Sequence, residues 1–344
     1  SNACNHSCPF CISGHLHLQK YKGTELFNRT ILDKNIFHKL IKDLINTKVK
    51  AINWTGGGEP TQNPYLKEAL KFINKNSSIE MGMFSNGSLI ERFDLFEIFV
   101  KTLSWIRISI DAGKRTSYDD LRKTNKNNNF DVVMKNIKKL IEYKKKFQSN
   151  IVIGVGFVVT EDNYDEIIDF ANLFKDIEVD YCQFKPEIIQ IERVQSRTEI
   201  IKKGQMQISS DFWLNKVIKL LDEAKSILHN KFECNSYKLD DLIVDVENYG
   251  RNYGECIGSQ FQPCIGADGH VYVCTNHRGH KQYSYGTIYE KNFSEIWKDL
   301  EKRKQIMDKI NHKEKFCNCT HLCKPHESNK IFWITFPNLN TMHH

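Results

Sequence analysis

Three cysteines near the start of the chain, Cys4, Cys8 and Cys11, follow the spacing CxxxCxxC. A loop this short presents three thiolates, which bind either an iron–sulfur cluster or zinc. Three cysteines on a [4Fe–4S] cluster leave one iron open for an outside ligand, whereas zinc would require a fourth protein ligand. The nearby candidates for that fourth ligand are His6, His15 and His17. The spacing alone leaves both metals open.

A second motif with chemical meaning is WTGGGEP at residues 54–60. Its glycines let the main chain approach a ligand closely, and the Glu59 carboxylate can accept a hydrogen bond from an ammonium group. Alone this turn is moderately specific. Together with the upstream cysteines it favours an iron–sulfur cluster over zinc.

Six further cysteines form a second group near the end of the chain: Cys256, Cys264, Cys274, Cys317, Cys319 and Cys323. Clustered cysteines without a secretory signal indicate metal binding in a reducing compartment, so a cytoplasmic location is expected. Residues 264–274 contain an Asp-Gly pair between two apolar runs, which predicts a β-hairpin with cysteines near both ends.

The elements that would position these motifs alternate along the first half of the chain. Predicted strands are 51–55, 79–84, 105–110, 151–160 and 179–184. The segments between them have helical periodicity, as in the apolar series Phe37, Leu40, Ile41 and Leu44. This α/β pattern predicts the parallel sheet of a partial (β/α)6 TIM-like barrel, with its first strand expected before the cysteine loop.

In such barrels the chemistry lies at the carboxyl ends of the strands. The residues expected there are 56–60, 85–87, 111–113 and 185–187. Three domains are predicted: a core at 1–190, a helical linker at 191–235 with a helix near 211–229, and a loop-rich, cysteine-rich domain at 236–344 with a helix near 293–310. Residues 1–3 are either additions from cloning or the end of a strand.

These two motifs and the strand order resemble the radical S-adenosylmethionine (SAM) superfamily over about residues 4–185. The resemblance implies that Cys4, Cys8 and Cys11 hold a [4Fe–4S] cluster whose open iron binds SAM, and that an electron from the cluster yields a 5′-deoxyadenosyl radical. It also implies the cofactor contacts. Phe10 would lie near the adenine, Gly57, Gly58 and Glu59 at the methionine amino group, Ser85, Asn86 and Ser109 beside the ribose, and Arg122 at the SAM carboxylate.

The second cysteine group resembles the SPASM and twitch extensions of radical SAM proteins, and its few closing cysteines favour the shorter twitch type. One auxiliary [4Fe–4S] cluster is expected from this resemblance. Its implied ligands are Cys256, Cys274, Cys319 and Cys323, with Cys317 and Cys264 as alternates. A structural zinc site is the other interpretation.

The substrate is less well indicated. Lys185 and Glu187 are candidates for a base or a substrate-binding group, with a surface ion pair as the alternative. Cys182 is a candidate hydrogen-atom donor, with a small core residue as the alternative. The leading hypothesis is oxidation or epimerisation of a small polar molecule such as a sugar, aminocyclitol or nucleotide-linked sugar. The alternatives are a SPASM-type peptide maturase and a zinc-binding structural or nucleic-acid-binding protein.

Composition bounds these hypotheses. The chain has 344 residues, 40% of them hydrophobic and 26% charged, and no apolar run near the roughly 20 residues that span a bilayer. Its net charge of +7 arises from basic residues that alternate with acidic ones, which indicates a solvated surface or attraction for an anionic substrate. The expected partners are a small-molecule or peptide substrate and an electron donor such as flavodoxin or ferredoxin; neither a membrane nor nucleic acid is expected.

Overall fold

The computed structural model describes residues 1–11, 13, 31–124, 128–187, 212–234, 253, 255–311 and 325–335. These residues divide into two compact units. The first runs to residue 187 and includes 212–234; the second includes 253, 255–311 and 325–335. The predicted linker at 191–235 therefore contributes residues 212–234 to the first unit.

The first unit is built on a six-stranded sheet in which every neighbouring pair is parallel and the strand order follows the sequence. The strands are β1 (Ala51–Trp54), β2 (Glu80–Ser85), β3 (Trp105–Ser109), β4 (Val152–Val159), β5 (Tyr181–Pro186) and β6 (Phe232–Cys234). The five strands predicted from the sequence are confirmed. The sixth described strand is β6, which pairs with β5 and was not predicted, because three residues are too few to show a strand pattern.

Seven helices of the first unit are described: α1 (Lys34–Asn46), α2 (Leu66–Asn76), α3 (Phe96–Thr102), α4 (Arg115–Arg122), α5 (Asn129–Lys146), α6 (Ile167–Phe174) and α7 (Ile218–Leu228). Helix α1 begins after Asp33, whose carboxylate accepts hydrogen bonds from the main-chain N–H groups of Asn35 and Ile36. Its predicted apolar stripe is buried. A π-helical turn at Trp213–Val217 leads into α7.

Alternate side chains of the strands form the core between the sheet and its helices. Phe157 on β4 and Phe184 on β5 both contact Phe170 on α6, with ring centres 5.1 and 5.4 Å apart. On the other face, large side chains lie across glycines of the neighbouring strand. A Cβ added to Gly82 would lie 2.0 Å from the Trp105 ring. Such glycines in mid-strand mark close packing of a neighbouring side chain against the main chain.

The second unit contains a three-stranded antiparallel sheet of β7 (Cys264–Ile265), β8 (His270–Tyr272) and β9 (Ser284–Thr287). Gly269, in the turn between β7 and β8, has a φ of +79°, so the predicted Asp-Gly hairpin is confirmed. Helices α8 (Phe293–Lys298), α9 (Leu300–Asn311) and α10 (Pro325–Thr335) follow.

The single helix predicted near 293–310 is instead two helices that meet at Asp299. This residue leaves the helical conformation, with ψ at 80°, and its carboxylate accepts a hydrogen bond of 3.0 Å from the N–H of Lys302. An aspartate that caps the next helix in this way ends the preceding one. None of the described helices is long and apolar enough to cross a lipid bilayer.

Candidate active site

Main-chain atoms of residues 1–3, which lead into the cysteine loop at residues 4–11, are hydrogen-bonded to the glycine-rich loop at residues 56–60 that follows β1. The N–H groups of Gly57 and Gly58 both donate to the carbonyl of Ser1 at 3.0 Å, and the N–H of Glu59 donates to the carbonyl of Ala3 at 2.8 Å. A Cβ added to Gly58 would lie 2.1 Å from that Ala3 oxygen. Position 58 therefore requires glycine because the two main chains touch there.

The buried carboxylate of Glu59 joins the end of β1 to the end of β2. Its Oε1 accepts hydrogen bonds from the Ser85 hydroxyl at 2.7 Å and from the hydroxyl and N–H of Thr61 at 2.8 and 3.2 Å. Its Oε2 accepts one from the N–H of Asn86 at 2.7 Å. Burial raises the pKa of Glu59, and these hydrogen bonds oppose that shift. The observed task of Glu59 is to fix two loops; its contact with the SAM amino group stays a prediction.

A second attachment of the cysteine loop runs through Asn5. The Asn86 amide donates to Asn5 Oδ1 at 2.9 Å, and the Asn5 amide donates to the Ser88 hydroxyl at 2.8 Å. Asn86 Oδ1 in turn accepts from the N–H of Ser88 at 3.0 Å. Asn86, expected beside the ribose, thus holds the loop. The sequence did not predict a role for Asn5, and the one indication of such a role was its position between Cys4 and Cys8, two of the predicted cluster ligands.

A buried ion pair attaches the loop to the end of β3. The Arg122 guanidinium pairs with the Asp111 carboxylate, and the two side chains are 7% and 2% exposed. Arg122 Nε also donates to Nδ1 of His6 at 3.3 Å. The Arg122 carbonyl accepts from the N–H of Ser7 at 3.2 Å and from the Cys8 thiol at 3.6 Å. Arg122 therefore orders the cysteine loop; its binding of the SAM carboxylate stays a prediction.

Asp111, for which the sequence predicted only a place in the loop at 111–113, is the residue that pairs with Arg122. Its φ is +59°, a conformation that aspartate and asparagine adopt more readily than most residues. Its second oxygen accepts from the N–H of Val158 at 2.8 Å, and its carbonyl accepts from the Asn163 amide at 2.9 Å. The carboxylate therefore links the end of β3 to the end of β4 while it neutralises Arg122.

The three thiols of the loop are half-buried and act on one another electrostatically. Burial raises the pKa of Cys4 to about 11 and that of Cys8 to about 12. In the described residues no three Cys, His, Asp or Glu side chains are gathered as they would be around a single metal ion. The donor set of three thiols on one anchored loop fits an iron–sulfur cluster, and iron would take the place of the thiol protons.

Three expected cofactor contacts remain: Ser85 and Ser109 are the last residues of β2 and β3, and Phe10 belongs to the cysteine loop. Phe10, which lies between Cys8 and Cys11 in the sequence, is half-buried, and so is Ser109 at the end of β3. Ser85 holds Glu59 and also accepts from the N–H of Gly87 at 3.0 Å. The structure brings the cysteine loop and three strand ends together, and contacts of these residues with SAM stay predictions.

The three catalytic candidates occupy β5 and the residue after it. Cys182 is fully buried on the same face as Phe184, which packs against α6, and burial raises the pKa of its thiol to about 12. This placement favours the core role over hydrogen donation. Lys185 is half-buried near the carboxyl end of the strand, and the N–H of Glu187 donates to the carbonyl of Val159 at 3.1 Å. Their roles stay predictions.

The described cysteines of the second group are Cys256, Cys264 and Cys274. The first two are buried, Cys274 is half-buried, and none of the three forms a disulfide. The Cys256 sulfur accepts a hydrogen bond of 3.3 Å from the amide of Asn329. The other predicted ligands, Cys317, Cys319 and Cys323, lie outside the described residues.

Comparison with protein families decides what this site belongs to. The family model "Radical SAM superfamily" matches residues 1–172, half of the chain, including the cysteine loop and the loops after β1, β2 and β3. The chain belongs to the radical SAM superfamily. The SPASM model, an iron–sulfur cluster-binding domain, matches residues 256–324. The enzyme therefore uses a [4Fe–4S] cluster and SAM and has a SPASM domain that binds auxiliary iron–sulfur. The number of auxiliary clusters and the shorter twitch type stay predictions.

Two curated relatives resemble nearly the whole radical SAM enzyme. It is 26% identical over 337 residues to the cysteine-type anaerobic sulfatase-maturating enzyme of Clostridium novyi, and the alignment covers 94% of this chain and 84% of the relative. It is 24% identical over 315 residues to the serine-type anaerobic sulfatase-maturating enzyme of Bacteroides thetaiotaomicron, and the alignment covers 85% of this chain and 71% of the relative.

Solved structures show the same fold. anSMEcpe with bound AdoMet aligns with a TM-score of 0.57 and 18% identity, over 99% of this chain and 96% of its own. Streptococcus suis SuiB bound to S-adenosylmethionine aligns with a TM-score of 0.61 and 15% identity, over 89% of this chain and 66% of its own. At these identities the likeness shows the fold alone, and it confirms the predicted α/β class.

Proposed function

We propose that this radical SAM enzyme modifies a side chain of a peptide or protein substrate. The observation that carries the proposal is the extent of the similarity to the cysteine-type anaerobic sulfatase-maturating enzyme, 94% of this chain and 84% of the relative. The similarity thus includes the cysteine-rich end as well as the SAM-binding core. Solved structures of the same fold also contain peptides: anSMEcpe with the Kp18Cys peptide and SuiB with the precursor peptide SuiA.

This proposal replaces the small polar molecule as the leading hypothesis. The relatives named above mature sulfatases, so they support the peptide alternative better than a sugar or aminocyclitol. The positive net charge of +7 suits an acidic peptide as well as an anionic metabolite. Charge therefore does not favour the small molecule.

In the proposed reaction, the cluster and SAM would supply a 5′-deoxyadenosyl radical that takes a hydrogen atom from the substrate. The residues of this chain hold and orient the reactants. Cys4, Cys8 and Cys11 bind iron on a loop that Asn5 and Arg122 keep in place. Lys185 and Glu187, at the end of β5, contact the substrate or accept its proton. A reducing protein such as flavodoxin or ferredoxin supplies the electron that reduces the cluster before SAM is cleaved.

The test uses anaerobically reconstituted protein with dithionite, SAM and the Kp18Cys peptide, and as a control the same peptide with its cysteine replaced by alanine. We expect 5′-deoxyadenosine to form faster with the cysteine peptide, together with a stable change in that peptide's mass. A panel of nucleotide-linked sugars serves as the competing substrate class. Modification of a sugar, with neither peptide changed, would overturn the proposal.

A further inference from the structure

Asn329, on α10, is held at both ends of its side-chain amide. It is 1% exposed. Its Oδ1 accepts from the N–H of Gly258 at 2.6 Å, and its Nδ2 donates to the sulfur of Cys256 at 3.3 Å. The orientation of the amide is decided by this network, because the N–H of Gly258 can only donate and must face the oxygen. The NH₂ group is therefore directed at the sulfur.

The cysteine that receives this bond is itself fixed. The N–H of Cys256 donates to Oδ1 of Asn311 at 3.0 Å, and its carbonyl accepts from the hydroxyl of Ser259 at 2.9 Å. A neutral thiol is only a weak hydrogen-bond acceptor, so it does little to offset the burial of an amide. A thiolate bound to iron carries negative charge and accepts such a bond much more strongly.

We propose that Asn329 is a positioning residue of the auxiliary iron–sulfur site, where its amide stabilises the negative charge on Cys256 and raises the reduction potential of the cluster. The inference takes Cys256, which lies in the SPASM match at residues 256–324, as a ligand of the auxiliary cluster, and it does not depend on which substrate the enzyme modifies. Reduction adds an electron, and hydrogen bonds to ligand sulfurs are one of the factors that set the potential of such clusters. Asn329 lies beyond the residues 256–324 that match the SPASM model, so the model does not include it.

The experiment isolates the auxiliary iron by placing each variant in the Cys4→Ala, Cys8→Ala, Cys11→Ala protein. Asn329→Asp keeps an oxygen for the N–H of Gly258 and replaces the donor to sulfur with a second oxygen. We expect unchanged iron content and a reduction equilibrium at least about tenfold less favourable, which is ~59 mV for a one-electron couple. The potential is read by redox titration with electron paramagnetic resonance.

Two further variants separate the hydrogen bond from other effects. Asn311→Asp makes the same chemical change beside Cys256, but the oxygen at position 311 accepts from the N–H of Cys256 and does not face its sulfur. The shift in reduction potential should therefore be much smaller. Asn329→Ala removes the donor without adding charge and should also lower the potential. Thermal unfolding of the iron-free proteins shows whether each variant folds.

The inference would be overturned if the parent, Asn329→Asp and Asn329→Ala proteins had equal reduction potentials and equal iron contents. It would also be overturned if Cys256→Ala left the auxiliary iron in place, while SAM-dependent peptide modification by the otherwise unchanged enzyme would still support the proposed function. Failure of that modification, with a lowered potential in Asn329→Asp, would overturn the function and leave the role of Asn329 supported.

Discussion

The ion pair between Asp111 and Arg122 allows the sharpest prediction about what holds the cysteine loop. Both side chains are almost fully buried. Removing one partner of a buried pair leaves an uncompensated charge and costs about 3–5 kcal/mol. Asp111→Asn keeps the size of the side chain, an acceptor for the N–H of Val158 and tolerance for the φ of +59°. We therefore expect a loss near the lower end, about 3 kcal/mol of unfolding free energy.

The assay is urea unfolding of the iron-free chain followed by circular dichroism. The Asp111→Asn midpoint should fall while the slope with urea stays the same, because the surface exposed on unfolding does not change. The matched control is Glu91→Gln, which removes a carboxylate that pairs with Lys135 and Lys139 on the exposed surface. It should change the midpoint little, because water screens such pairs.

A double-variant cycle identifies the partner. Arg122→Met alone should also destabilise the fold, and Asp111→Asn with Arg122→Met should cost less than the sum of the two, since no unpaired charge remains. An Asp111→Asn protein that unfolds at the same urea concentration as Glu91→Gln would refute the reasoning. So would strict additivity in the cycle.

Three more substitutions test other contacts of the same loop. Burial, with a smaller effect of Arg122, lowers the pKa of His6 to about 3 from an ordinary value of 6.5, so the neutral ring stabilises the fold above pH 6.5 and this stability is lost as the pH falls toward 3. Between about pH 7.5 and 5.5 the iron-free wild type should lose about 1.4 kcal/mol more than His6→Asn, which keeps an acceptor but does not titrate; equal losses would contradict this. Gly58→Ala should remove most of the iron bound by the cysteine loop, since its methyl would lie 2.1 Å from main-chain oxygen, whereas Gly156→Ala, with 3.4 Å to the nearest side-chain atom, should retain it. In Glu59→Gln, the NH₂ group of the new amide would face the hydroxyl and N–H groups that now donate to the carboxylate, so the free energy of unfolding measured with urea should fall by about 1–3 kcal/mol. An unchanged midpoint would show that the carboxylate does not hold the loops.

The sequence predicted the parts of the fold that depend on local pattern. Strands β1 to β5 were recognisable because β-branched and aromatic residues cluster in them, and the position of the glycine-rich loop followed from the end of β1. The hairpin between β7 and β8 followed from its Asp-Gly pair. In each case a few adjacent residues determine the backbone geometry.

Contacts between distant residues could not be predicted in this way. Arg122 and Asp111 were both visible as charged residues, but nothing in their spacing shows that the chain buries them together. The same holds for Asn5 with Asn86, which are 81 residues apart, and for Asn329 with Cys256, which are 73 apart. The chemistry of the cysteine loop was evident from the sequence, whereas the residues that hold it required the fold.

The central claim is that Cys4, Cys8 and Cys11 hold the cluster at which SAM is cleaved. The most direct measurement is 5′-deoxyadenosine formation by anaerobically reconstituted protein with SAM and dithionite. The wild type should bind about eight irons, four per cubane cluster, and form 5′-deoxyadenosine. The Cys4→Ala, Cys8→Ala, Cys11→Ala protein should keep about half of that iron and form none. Formation of 5′-deoxyadenosine by the triple variant at the wild-type rate would contradict the account.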